Sequence, residues 1–80
     1  MLKEEIVKKL IECAKKAFKK EIEGITGDSG IAEEFGTNSM KRIAMCALIE
    51  NEFDVIIPIS AFGSYATFND LADHVMSESE

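Results

Sequence analysis

The stretch Ser39-Met40-Lys41-Arg42-Ile43-Ala44-Met45-Cys46-Ala47-Leu48-Ile49-Glu50-Asn51-Glu52 decides the fold. Asn38 and Ser39 are both good capping residues, so a helix is predicted from Ser39 to about Glu52. Its middle, Ile43 to Ile49, is apolar nearly all round. Such a helix either lies at the centre of a bundle or keeps a second face for a partner. Phe53 continues the core side and Asp54 begins the exit.

Upstream, Leu2, Ile6, Val7, Leu10, Ile11, Ala14, Ala17, Phe18 and Ile22 recur at spacings of three and four, which predicts one helical face from Leu2 to about Glu23. The other face is rich in Lys, and Glu4 and Glu5 precede Lys8 and Lys9 by four residues. Gly24 is expected to end this helix. Gly24 to Asn38 then reads as a long loop, with Gly27, Asp28, Ser29, Gly30 and Gly36 as turn residues. Ile31 and Phe35 are its apolar pins. A loop of that length in a small domain is usually functional or mobile.

Downstream, Val55 to Ile59 is β-branched but contains Pro58 and has no second strand to pair with, so it reads as an extended connector. Ser60 to Tyr65 suggests a short helical turn. Thr67 caps a last helix with Phe68, Leu71, Ala72, Val75 and Met76 inward, and Ser77 to Glu80 is expected to fray. The expected fold is therefore all-α. It is a four-helix bundle with a long first loop and a short third helix, forming one domain over residues 1–80.

Composition fits that size. The chain has 80 residues, 46% hydrophobic and 30% charged, enough for one core. A net charge of −6 argues against nucleic acid, whose phosphates select clustered Lys and Arg, and suits a basic partner. Cys13 and Cys46 lie in apolar-periodic stretches and read as buried free thiols, although a bridge between helices is geometrically possible. Lys3, Glu4 and Glu5 interrupt any early apolar run, so no signal peptide is expected, and no stretch is suited to span a bilayer. A cytoplasmic monomer is the expectation.

Few residues offer chemistry of their own. His74 has no second His or Cys at ligand spacing. Asp28-Ser29-Gly30 resembles neither a calcium loop nor a phosphate loop. Ser39 has no obvious base beside it, so the chain is not expected to be an enzyme. What remains is Gly36-Thr37-Asn38-Ser39-Met40. Taken alone it reads as a turn and a helix cap. It also places a serine hydroxyl at a helix start, where a phosphodiester would meet free backbone N–H groups.

The surrounding motifs give that serine a context. Gly36-Thr37-Asn38-Ser39-Met40 resembles the Gly-x-Asp-Ser-Leu motif of the acyl carrier protein family. Ile49-Glu50-Asn51-Glu52-Phe53-Asp54, Ile57-Pro58 and Thr67-Phe68-Asn69-Asp70-Leu71-Ala72-Asp73-His74-Val75 are similar to that family's later helices and connector. Ile31-Ala32-Glu33-Glu34-Phe35-Gly36 resembles its acidic approach to the motif. The resemblance implies a 4'-phosphopantetheine arm on Ser39, attached from coenzyme A by a phosphopantetheinyl transferase. It also implies acyl thioesters exchanged with acyl-transferring or condensing enzymes of lipid metabolism, as in fatty acid biosynthesis. The core around Met45, Cys46, Ile49, Phe35, Phe62 and Leu71 is the expected wall of any acyl pocket.

Three departures stand out. Asn38 replaces the usual Asp, Met40 replaces Leu, and Lys41 and Arg42 begin a helix that is normally acidic in this family. The basic start points to a specialised acyl, lipid or polyketide-like pathway with dedicated partners. The alternative, favoured by Asn38, is an interaction module that keeps the fold without the arm.

Overall fold

Helix α1 spans Lys3–Phe18, and Ile6, Val7, Leu10, Ile11, Cys13, Ala14, Ala17 and Phe18 are its buried side. The computed structural model to which it belongs describes residues 2–79, apart from the side chains of residues 60, 61 and 79. Glu4 and Glu5 lie in the first turn of α1 and Lys15 and Lys16 in the last, complementing the helix dipole. The predicted continuation to Glu23 does not occur. Lys19 adopts a left-handed φ of 55° and the Lys20 N–H donates to the Lys15 carbonyl, a Schellman-type ending without glycine. Beyond Phe18 the chain runs into Lys19, Lys20 and Glu21, all exposed. Ile22 and Ile25 instead pack, partly buried, against the core.

The long segment before Ser39 is not all loop. Ile31–Phe35 forms a one-turn helix, α2, whose ends are the two predicted pins, both buried. The loop before it is stitched to the far end of the chain. The Ile31 N–H donates to the Ala66 carbonyl at 2.9 Å, and Gly30 and Thr67 form an isolated antiparallel bridge. The Asn69 N–H donates to the Gly27 carbonyl, and the Asn69 amide donates to Asp28 Oδ1, both at 2.8 Å. A Cβ on Gly27 would sit 2.3 Å from Asn69 Oδ1, so a side chain there would push the Asn69 amide from its bond to Asp28.

Helix α3 spans Ser39–Phe53, α4 spans Ile59–Phe62 and α5 spans Phe68–Ser79. The connector before α4 forms neither helix nor strand over residues 55–58, burying Val55 and Ile57 and exposing Pro58, while Ile59, expected to close it, opens α4. Thr67 caps α5: its hydroxyl accepts the Asp70 N–H while Asp70 Oδ2 accepts the Thr67 N–H, a reciprocal capping box. The expected fraying from Ser77 does not appear, since α5 continues to Ser79; Glu80 lies outside the described residues. α1 packs along both α3 and α5, and α4 lies against α3. The result is the all-α bundle expected, with the short helix before the last one and α2 as an additional turn. Phe35 joins the layers, its ring 5.7 Å from Phe18 and edge-on to Phe68 at 6.0 Å.

Candidate functional site

Phe35 fixes one end of the approach to Ser39. Directly after it, Gly36 takes φ 99° and ψ −174°, a conformation natural only to glycine, while its N–H donates to the Ala32 carbonyl. The chain thereby leaves the core, and Thr37, Asn38, Ser39 and Met40 are all exposed. Asn38 is the N-cap of α3. Its Oδ1 accepts the Lys41 N–H at 3.1 Å, and its carbonyl accepts the Arg42 N–H.

The sequence left open which of Asn38 and Ser39 caps the helix. The structure gives that role to Asn38. Ser39 is the first helical residue, and its hydroxyl has no hydrogen-bond partner among the described residues. Ser29 offers a contrast: its Oγ accepts the Thr26 N–H at 2.9 Å and closes a turn. Ser39 therefore presents a free hydroxyl at the start of a long helix, and Ser29 does not.

The charge of the turn that carries that hydroxyl is positive. No acidic residue lies in the first turn of α3, which carries Lys41 and Arg42. The two cations differ in setting. Lys41 is exposed, whereas Arg42 is half-buried with its guanidinium carbon 5.5 Å from the centre of the Phe62 ring. In sequence they are an equivalent pair beside Ser39. No local signal links Arg42 to Phe62, twenty positions away across the α3–α4 seam.

Beside Ser39 the outward side of α3 is apolar. Met40 is 77% exposed and Ile43 52% exposed, with Ala44 and Ala47 also exposed. These positions share one face by helical spacing. α3 is therefore not buried on every side, and its second apolar face is exposed. Ile56, at 71%, and Ile59 are further exposed apolar residues on the α3–α4 side of the chain.

The six residues expected around an acyl chain all belong to one buried cluster. Surface clefts lie elsewhere. One of about 390 Å³ is lined by Lys3, Glu4, Val7, Gly27, Asp28 and Asn69, and another of about 260 Å³ by Lys9, Glu12, Cys13, Lys16 and Glu52. Neither is lined by Ser39.

Other reactive groups are held back. Burial pushes the Cys13 thiol up to about 11 and also raises that of Cys46, so both stay protonated at neutral pH and are poor nucleophiles. Both are unpaired and buried. His74 shares a 2.8 Å hydrogen bond through Nδ1 with the Tyr65 hydroxyl and is tilted against its ring. Among the described residues no group of three His, Cys, Asp or Glu could hold a metal ion, and no helix is long and apolar enough to cross a membrane.

Comparison with known proteins bears on this geometry. The family described as the phosphopantetheine attachment site matches residues 8–75, from the second turn of α1 to within α5. A search of curated proteins finds no match.

Proposed function

We propose that this chain, which belongs to the phosphopantetheine attachment-site family, holds its 4'-phosphopantetheine arm on Ser39 and carries acyl intermediates for a specialised pathway. The observation that supports Ser39 most directly is the exposed, unpartnered hydroxyl set one residue inside the Asn38 cap. The residues there fit a phosphodiester. Free N–H groups of the first turn, the helix dipole and the side chains of Lys41 and Arg42 all favour an anion, and no carboxylate in that turn opposes it.

The arm supplies a terminal thiol on which acyl groups ride as thioesters, and the chain's own residues supply presentation. Gly36 turns the backbone outward, Asn38 fixes the start of the helix, and Phe35 anchors both to the core. Loading is a displacement by a phosphopantetheinyl transferase. The Ser39 oxygen bonds to phosphorus, the pyrophosphate bond of coenzyme A breaks, and adenosine 3',5'-bisphosphate leaves as the hydroxyl proton passes to the transferase. Cys13 and Cys46, buried and protonated, do not compete for the acyl group. Partners that take the arm meet Lys41 and the apolar face of α3. This departs from the acidic helix of housekeeping carriers and supports dedicated acyl-transferring or condensing enzymes. An acyl chain sheltered in the bundle would have to displace packed side chains such as Met45, whose thioether adapts readily.

The test is intact mass after incubation with coenzyme A and a broad-specificity transferase. The wild-type chain gains one arm and Ser39→Ala gains none. A gain that persists in Ser39→Ala, or maps by peptide mass to Ser29 or Ser60, removes Ser39 from the proposal. No gain in either chain favours the unmodified interaction module.

A further inference from the structure

Arg42 is an unusual cation in this molecule. The chain is acidic overall, yet among the described residues no carboxylate lies within ion-pair distance of Arg42. The ion pairs found are Lys3–Asp73 and Lys9–Glu52. Its guanidinium is laid on the Phe62 ring, and Nη1 is 3.7 Å from where a Cβ on Gly63 would stand. Among the described residues Nε has no hydrogen-bond acceptor, and since it is covered only the other guanidinium nitrogens can meet an incoming group. A half-buried cation with no carboxylate partner gains from an anion that meets the part of its guanidinium left exposed.

Helix geometry indicates where that anion comes from. Arg42 is three residues after Ser39, so the two side chains are neighbours on one flank of α3. A helical side chain leans toward the N-terminus of its helix, over the turn before its own Cα. For Arg42 that turn is the one Ser39 opens. The Phe62 ring then limits the guanidinium's freedom, so little further ordering accompanies its contact with a phosphate.

We infer that Arg42, seated on Phe62, is a positioning residue that grips the phosphodiester of the arm and sets the direction in which the arm leaves α3. This rests on Ser39 as the attachment point. Lys41, exposed and not stacked, is left to face the partner.

The experiment begins with wild type, Arg42→Gln and Arg42→Lys, each loaded and verified by the mass gain on the Ser39 peptide. Failure of that gain in the wild type strikes the attachment reading, not Arg42. On the loaded chains, the phosphorus NMR signal of the wild type is expected to be displaced from that of Arg42→Gln, with Arg42→Lys between them. Added salt should move the wild-type signal toward the Gln value, because a partly exposed ion pair is screened. In the unsubstituted protein the Arg42 Nε–Hε resonance should shift between unloaded and loaded forms. This second readout needs no variant to fold. Identical phosphorus signals in all three loaded chains, with an unmoved Arg42 resonance, overturn the inference and leave Ser39 as the carrier site.

Discussion

Helices α1 and α3 are nearly equal in length and both are rich in apolar residues, but they use them differently. α1 has 16 residues and buries eight of them on one face. α3 has 15 and buries only Met45, Cys46 and Ile49, while Met40, Ile43, Ala44 and Ala47 face solvent. The polar side of α1 is charged, with Glu4, Glu5, Lys8, Glu12 and Lys16 exposed, which keeps water on it. The outward side of α3 has nothing comparable over its first two turns beyond Lys41. Burial in α1 thus serves the fold, and exposure in α3 serves a surface next to Ser39. The same residue types carry both roles, and position alone separates them.

The contrast can be broken most forcefully at Leu10 and Ile43. Leu10 is fully buried in α1, and Leu10→Ala is expected to cost about 2–5 kcal/mol, a large share of the stability of a domain this small. Ile43→Ala removes an exposed side chain, and its cost is expected to stay within about 0.5 kcal/mol. Urea unfolding of the two variants measures both. A loss at Ile43 comparable with that at Leu10 would mean that the outward face of α3 is packed, and the comparison would fail.

A subtler effect belongs to the junction that presents Ser39. Asn38→Ala removes the side chain that accepts the Lys41 N–H and is expected to cost about 1 kcal/mol. Ser39→Ala removes a hydroxyl with no partner and is expected to leave stability nearly unchanged. Thermal melts of the two unloaded variants separate the cap from the proposed attachment residue. If Ser39→Ala destabilises as much as Asn38→Ala, the hydroxyl is part of the cap.

These expectations also show what the sequence made legible. The buried face of α1 follows from spacings of three and four, the core side of α5 likewise, and Ile31 and Phe35 stand out as apolar residues in a polar loop. The end of α1 was not legible, because Lys19 makes the left-handed turn that glycine usually signals. A five-residue α2 is too short for periodicity to reveal. At the site, the Gly36-to-Met40 segment marked Ser39 as a candidate. The different settings of Lys41 and Arg42 could not be read, because Phe62 arrives from α4 and its contact is set by packing, not by neighbours in the chain.

The smallest expected effect lies where the two helices are joined at their surfaces, by Lys9 of α1 and Glu52 of α3. Their hydrogen bond, more than their Coulomb attraction, holds the Glu52 carboxyl below its ordinary value of 4.5 and the Lys9 ammonium above its ordinary 10.5. Because the Glu52 value falls on folding, its contribution is present above pH 4.5 and is lost as pH drops through the lower folded value. Because the Lys9 value rises on folding, its contribution is present below pH 10.5 and is lost as pH climbs through the higher folded value. Between those limits the pair adds a flat, salt-sensitive increment, kept small by exposure of both side chains. Stability of wild type minus Glu52→Gln, followed by urea unfolding across pH and salt, should therefore be slightly positive near neutrality. It should vanish in acid and shrink with added salt. A difference that persists below the folded carboxyl value, or that ignores salt, would show that Glu52 joins α3 to α1 by packing and not by charge.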